Sequence, residues 1–183
     1  MVKIGIIIGS TRPGRVGEAV AKWAYELSKE RKDAEFELVD IKDYELPLYD
    51  EPHPAMAQKY TKEHTKKWAA KIAGLDGFVF VTPEYNHSTS AALKNALDFL
   101  YLEWTNKAAG FVSYGAISGA RAVEALRPIM AQLGIADVSA QVMLSLFTDF
   151  EDGAFKPDPR HEKSLNTLFD QVIAWSTAMK TLR

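Results

Sequence analysis

The sequence predicts an α/β protein: a doubly wound, five-stranded parallel sheet in the order 2-1-3-4-5, with helices on both faces. Three observations predict it. Five strand-like runs alternate with five segments of helical period, the pattern of successive β–α units. The first and third runs, Ile4 to Ile8 and Gly77 to Val81, are apolar almost without interruption, as strands buried on both faces are. The unusual turns follow strands one, three and four, which in this topology open onto one crevice beyond the carboxyl ends of the strands.

Strand one is expected over about Val2 to Ile8, followed by a helix with Val16, Val20, Trp23, Ala24 and Leu27 on one face. Strand two is short, Glu35 to Asp40. A long connection then runs from Ile41 to about Gln58, with Pro47, Pro52 and Pro54 inside it. Long ordered loops are often functional, and Tyr44, Leu46, Leu48 and Tyr49 suit either a pocket wall or packing on the domain itself. Trp68, Ile72 and Leu75 mark helix two, ending near Gly74, before strand three at Gly77 to Val81. Helix three is capped from Ser88 to Ser90 and carries Leu93, Ala96, Leu97 and Leu100. Strand four is Ala108 to Tyr114. Helix four carries Val123, Leu126, Met130 and Leu133, with a kink or restart expected at Pro128. Strand five is Ala136 to Leu144. A loop from Phe147 to Pro159 with an Asp152-Gly153 turn precedes a last helix carrying Leu165, Leu168, Phe169, Val172 and Met179. No repeat or linker interrupts the 183 residues, so one domain is expected.

Composition removes several functions. The net charge is −2 with no block of either sign, which argues against nucleic acid and anionic membranes as partners. Without cysteine there are no disulfides, thiolate metal sites, iron–sulfur ligands or cysteine nucleophiles. The apolar run after Lys3 is too short for a signal-peptide core, and nothing approaches the ~20 apolar residues of a spanning helix, so a cytoplasmic location is expected.

The most informative stretch is Gly9-Ser10-Thr11-Arg12-Pro13-Gly14-Arg15-Val16-Gly17. A strand, a Gly- and Ser-rich turn and a helix N-terminus together make an anion site. Arg12 and Arg15 add forks that suit phosphate oxygens. A nucleotide-triphosphate loop would need Lys and then Ser or Thr where Arg15 and Val16 stand. The dinucleotide fingerprint would need a glycine two places after Gly9, and Asp40 fits a strand-end cap better than a ribose ligand. A single phosphate monoester remains.

Side-chain chemistry looks weak. His53, His64, His87 and His161 show no metal spacing, and all but His87 read as surface residues. Ser118 misses the nucleophile-elbow spacing by one position. Glu84 reads equally well as a general acid or base and as a carboxylate bonded to backbone. A one-phosphate site without a clear nucleophile suits a cofactor that brings its own chemistry.

Three motifs in order, Gly9-Ser10-Thr11-Arg12, Pro83-Glu84-Tyr85-Asn86 and Ser113-Tyr114-Gly115, resemble the NAD(P)H-dependent FMN reductases. The likeness extends to Leu46-Pro47-Leu48-Tyr49 and covers nearly the whole chain. It implies the flavodoxin-like fold and FMN as cofactor, with NADPH or NADH as electron donor. The acceptor would be a small molecule: free flavin, quinone, azo compound or chromate. By resemblance Ser10, Arg12 and the N–H groups of Arg15, Val16 and Gly17 hold the phosphate. Pro83, Glu84, Tyr85 and Asn86 line the isoalloxazine ring, with Ser113, Tyr114 and Gly115 nearby. Many members carry Ser at the place of Arg15 and Asn or Ser at that of Gly17, so backbone N–H groups or the Arg15 guanidinium must substitute. A homodimer or homotetramer is implied, for which Leu100, Tyr101, Leu102 and Trp104 offer an interface or further monomer packing. The rival readings are a flavodoxin-like electron carrier without NAD(P)H activity, and a nucleotide-binding hydrolase or transferase with Glu84 as base. The carrier's usual acidity is missing at a net charge of −2.

Overall fold

The computed structural model describes residues 1–183. Its parallel sheet runs β2-β1-β3-β4-β5, as the sequence predicts. The strands are β1 (Val2–Ile8), β2 (Ala34–Asp40), β3 (Gly77–Pro83), β4 (Lys107–Gly115) and β5 (Ile135–Ser145). The helices between and after them are α1 (Gly17–Ser28), α2 (Glu63–Ala73), α3 (Ala91–Asp98), α4 (Ala120–Gln132) and α5 (Arg160–Met179). Each expected element is present. β1 has its expected bounds, and the other four strands exceed theirs by one or two residues, because strand pairing carries the ladder past the last apolar side chain, as at Pro83 opposite Tyr114.

Strand alternation divides the core. Ile7, Val39, Phe78, Phe80 and Phe111 face α2, α3 and α4, where they meet Trp68, Leu97, Trp104 and Leu126. Ile4, Ile6, Ile8, Val79, Val81, Val112 and Tyr114 face α1 and α5, against Val20, Ala24, Leu168, Phe169 and Val172. The assignment of Tyr114 to this second face sends its phenol toward α1. Leu100 and Trp104 are buried in the first core, so the apolar cluster after α3 is largely monomer packing, with Leu102 left exposed.

Pro128 does not interrupt α4, which runs through it as one element. The carbonyl deprived of its partner belongs to exposed Glu124, where water can replace the lost bond. The loop after β5 contains a small hairpin, β6 (Phe150–Glu151) with β7 (Ala154–Phe155). Its turn is Asp152-Gly153, with φ of 49° and 79°, the left-handed pair that favours this dipeptide. His161 departs from expectation. It is 7% exposed and lies 2.9 Å from the Asp149 carboxylate, which also accepts the amides of Ser145 and Asp158.

Candidate active site

β1 ends against β3 at a glycine. The Gly9 amide donates to the Val81 carbonyl at 2.8 Å, and a Cβ there would lie 2.7 Å from that oxygen and 2.9 Å from Leu93 Cδ2. Ser90, the N-cap of α3, accepts the Leu93 amide at 3.0 Å and donates its hydroxyl to the Gly9 carbonyl. The start of the first loop is therefore fixed from beneath. Ser10 is buried, and its hydroxyl lies 3.2 Å from the Tyr85 hydroxyl.

Beyond Ser10 the loop curls over open amides. The Arg15 amide closes a turn onto the Arg12 carbonyl at 3.1 Å, but the amides of Thr11, Val16 and Glu18 donate to no backbone carbonyl, and that of Gly17 faces the Tyr114 phenol. Val16 caps α1 without a side-chain bond. The first turn of α1 thus presents unsatisfied N–H groups and the positive end of its dipole, which together form an anion cradle.

The two arginines are placed differently. The Arg15 side chain is 8% exposed and bidentate on Asp40, with one bond at 2.9 Å, and it also donates to the Ser10 carbonyl. Burial would lower its pKa, but Asp40 outweighs that and raises it. Asp40 in turn caps the following helical turn by accepting the Lys42 amide at 3.0 Å. Arg15 therefore braces the loop against the end of β2. Arg12 is exposed, forms no ion pair, and holds its guanidinium 5.9 Å from the Tyr85 ring centroid.

The second loop is a tight turn. Tyr85 and Ser88 exchange backbone bonds at 2.9 and 3.1 Å, with φ of 47° at Asn86 and 72° at His87, both left-handed as in a type I′ turn. Two consecutive non-glycine residues in that region store strain of the kind found at ligand clamps. Buried Thr82 and Thr89, 2.8 Å apart at their hydroxyls, tie the base of this loop. The Glu84 side chain is 5% exposed and engaged by Arg121, through Nε at 2.6 Å and the backbone amide at 3.1 Å. Arg121 also reaches His87 Nδ1 at 3.1 Å. Of the two readings of Glu84, the geometry matches the bonded structural carboxylate.

The third loop closes the edge. Ser113 turns inward, donating its hydroxyl to the Ser118 carbonyl at 2.8 Å. The Glu84 amide donates to the Tyr114 carbonyl at 3.1 Å, and a Cβ on Gly115 would lie 3.2 Å from Glu84 Cβ. Tyr114 is 5% exposed, and its phenol reaches the backbone of Gly17. The three loops therefore interlock through Ser10–Tyr85, Gly9–Ser90, Glu84–Tyr114 and Gly17–Tyr114. The residues expected at the site come together, except that the functional groups of Ser113, Glu84 and Arg15 point into the protein. The bracing partners Asp40 and Arg121 went unassigned in the sequence as site residues, and Arg121 has no motif that could have marked it.

Beside Thr11, a cleft of about 410 Å³ is lined by Ile41, Lys42, Glu45, Leu46, Ala92 and Asn95. The long connection after β2 thus both walls a cleft and packs on the domain, since Asn95 bonds the Pro47 carbonyl at 2.6 Å and the Tyr49 amide at 3.0 Å. On the opposite rim, Ile117 and Phe147 are exposed, the latter by 79%, beside Leu146, whose amide bonds the Gly115 carbonyl. No group of three or more His, Asp or Glu is arranged for a metal ion, and no helix is long and apolar enough to cross a membrane.

Fold and loop edge together define a flavodoxin-like protein with a cradle for a phosphate-bearing cofactor. Solved structures share that fold. They include the flavoenzyme NAD(P)H:(acceptor) oxidoreductase FerB of Paracoccus denitrificans, with a TM-score of 0.74 and 22% identity over 98% of this chain and 99% of that one. The family model for NADPH-dependent FMN reductase matches residues 2–149. An NAD(P)H-dependent FMN reductase of Schizosaccharomyces pombe is 41% identical over 91% of this chain and 84% of its own length. Another from Nectria is 45% identical, though this chain spans only 64% of that protein. A 2-hydroxy-1,4-benzoquinone reductase of Burkholderia is 31% identical over 95% of this chain and 96% of its own length. The chain belongs to the NADPH-dependent FMN reductase family. Its cofactor is FMN and its class is NAD(P)H-dependent oxidoreductase, not electron carrier.

Proposed function

We propose that this chain, as one FMN-binding unit over residues 1–183, takes two electrons from NADPH or NADH and passes them to a small acceptor, with quinones foremost. The observation that carries the reading is a contrast at the loop edge. Donors stand open there, in the amides of Thr11, Val16 and Glu18 and the guanidinium of Arg12, while Glu84 and Ser113 are occupied within the protein. Such a site binds an anion and supplies no nucleophile or base of its own. Bound FMN would supply the two-electron redox chemistry between nicotinamide and acceptor.

The protein's part is to bind, orient and shield. Ser10, Arg12, Val16 and Gly17 hold the phosphate. Pro83 to Asn86, with Gly115, line the ring, and the left-handed turn at Asn86 and His87 fixes that wall; Tyr114, also expected near the ring, turns its phenol to α1 instead. Arg15 and Ser113 act one step back, by setting loop shape. Exposed Ile117, Leu146 and Phe147 give an apolar shelf for a planar acceptor or for a second subunit of a homodimer or homotetramer. A cytoplasmic location fits this use of NAD(P)H.

Steady-state assays with both nicotinamides against benzoquinone, an azo dye and free FMN test the reading. Donor and acceptor sharing one open face give ping-pong kinetics. Bound flavin that stays oxidised under excess NADPH and NADH refutes the reductase activity.

A further inference from the structure

Tyr114 is 5% exposed, and the group its hydroxyl meets within the chain is a donor, the Gly17 amide. Its neighbours are donors. The Gly17 amide lies alongside the oxygen, and Arg12 and Arg15 are near enough for their charges to act on it. A phenol O–H set among donors finds no acceptor in the chain, which leaves its proton for solvent or for an anion bound beside it. The acceptor must come from outside the chain.

Gly17 is the residue that makes room for this phenol. It sits in ordinary right-handed helix, so glycine is not demanded by the backbone. Space demands it: a Cβ at Gly17 would lie 2.4 Å from the Tyr114 hydroxyl oxygen and 3.1 Å from Cζ. The phenol thus fills the volume that any side chain at the first position of α1 would occupy, against the Gly17 amide.

We propose that the Tyr114 hydroxyl is a phosphate ligand, donating from β4 across the sheet edge to the phosphate oxygens held at the N-terminus of α1, and that Gly17 exists to admit it. This rests on the FMN reading and gives Tyr114 a place at the phosphate end rather than at the ring. Burial, helped by Tyr85, raises the phenol pKa against the opposing charges of Arg12 and Arg15, so the group remains a donor throughout the physiological range. The bond is of the O–H to O⁻ type, the stronger charge-assisted kind.

The test measures dissociation constants of FMN and riboflavin for the full chain stripped of flavin, by quenching of flavin fluorescence. Tyr114→Phe removes one oxygen and keeps the ring. It should weaken FMN about tenfold and leave riboflavin within about twofold. Gly17→Ala, which pushes the phenol aside, should do the same. In the double variant the two losses should not add, because both remove one interaction. An equal fall for both flavins in Tyr114→Phe would make the residue a ring contact or mere packing, and unchanged FMN preference would also overturn the proposal. Wild-type protein that fails to prefer FMN over riboflavin would overturn the proposal together with the FMN reading beneath it, whereas the first two results leave that reading standing. Thermal unfolding of each variant confirms that a change in affinity is read from folded protein.

Discussion

Replacing Arg12 by alanine removes the one guanidinium of the first loop that has no carboxylate partner in the chain, while Arg15→Gln strips Asp40 of its bidentate donor. A hydrogen bond to a charged group contributes about 1.5–3 kcal/mol. Arg12 is exposed and competes with water, so the lower end applies and FMN should weaken about tenfold. Riboflavin carries no phosphate and should change by less than about threefold, with stability within about 0.5 kcal/mol of wild type. Arg15→Gln should behave otherwise. Its side chain is 8% exposed and Asp40's 18%, so the variant leaves a largely buried carboxylate with the Lys42 amide as its remaining donor and the Ser10 carbonyl with none. A loss of about 2 kcal/mol is expected, a shift in Tm of about 4–8 °C at this size. Both flavins should then weaken in parallel, because the loop loses its shape. Fluorescence titration with FMN and riboflavin, paired with thermal unfolding, reads all four quantities. If Arg12→Ala weakens the two flavins alike, or Arg15→Gln loses FMN selectively at unchanged Tm, the division of labour between the arginines is wrong.

Glu84→Gln should leave the shape of the kcat pH profile unaltered and change kcat by less than about threefold, because the carboxylate serves Arg121; a lost limb in that profile would restore Glu84 as an acid or base. Gly9→Ala should cost about 1–3 kcal/mol in urea unfolding, since its Cβ would meet the Val81 carbonyl at 2.7 Å; a neutral result would mean that β1 and β3 separate easily. Glu51 is held down to about 2: burial opposes ionisation, but the amides of Thr61 and Lys62 outweigh it. Its folded pKa lies below the unfolded one, so its stabilisation is present above about pH 4.5 and fades as pH falls toward 2. Solvent screening in this loop keeps it to about 1–2 kcal/mol. Glu51→Gln should therefore be less stable than wild type at pH 7 and equal to it near pH 2, measured by denaturant unfolding.

The parts of this protein that local pattern determines were legible in its sequence. Unbroken apolar runs at Ile4 to Ile8 and Gly77 to Val81 reported strands buried on both faces, and the alternation of strands with helices reported a parallel sheet covered on both sides. The glycine-rich turn reported the anion cradle because open amides follow from any strand-to-helix turn of that kind. The destinations of the charges were not legible. Arg12 and Arg15 look alike in the sequence, and only the position of Asp40 at the end of β2 decides that one is buried and the other free. Glu84 finds Arg121 across 37 residues, a pairing with no local signature. His161 read as a surface residue because nothing nearby in sequence showed Asp149 folding over it. Pro128 failed to break its helix because the orphaned carbonyl faces water, a matter of helix orientation rather than of propensity.

The pairing of Arg15 with Asp40 also bears on which ligand the cradle selects. Were both guanidinium groups free, the loop would carry two full positive charges beside the α1 dipole and would suit a di- or triphosphate. Asp40 cancels one of them at the end of β2, and Glu18, 3.6 Å from Arg15 and 2.7 Å from Lys22, adds no net attraction. What remains is one exposed arginine, a helix dipole worth about half a charge and a row of amides. That complement balances a single phosphate monoester. The same conclusion came from the missing lysine of a triphosphate loop and the missing glycine of a dinucleotide fingerprint, but the charge balance gives it a cause. The loop is built with two arginines, and the end of β2 disarms one to give the other a rigid support.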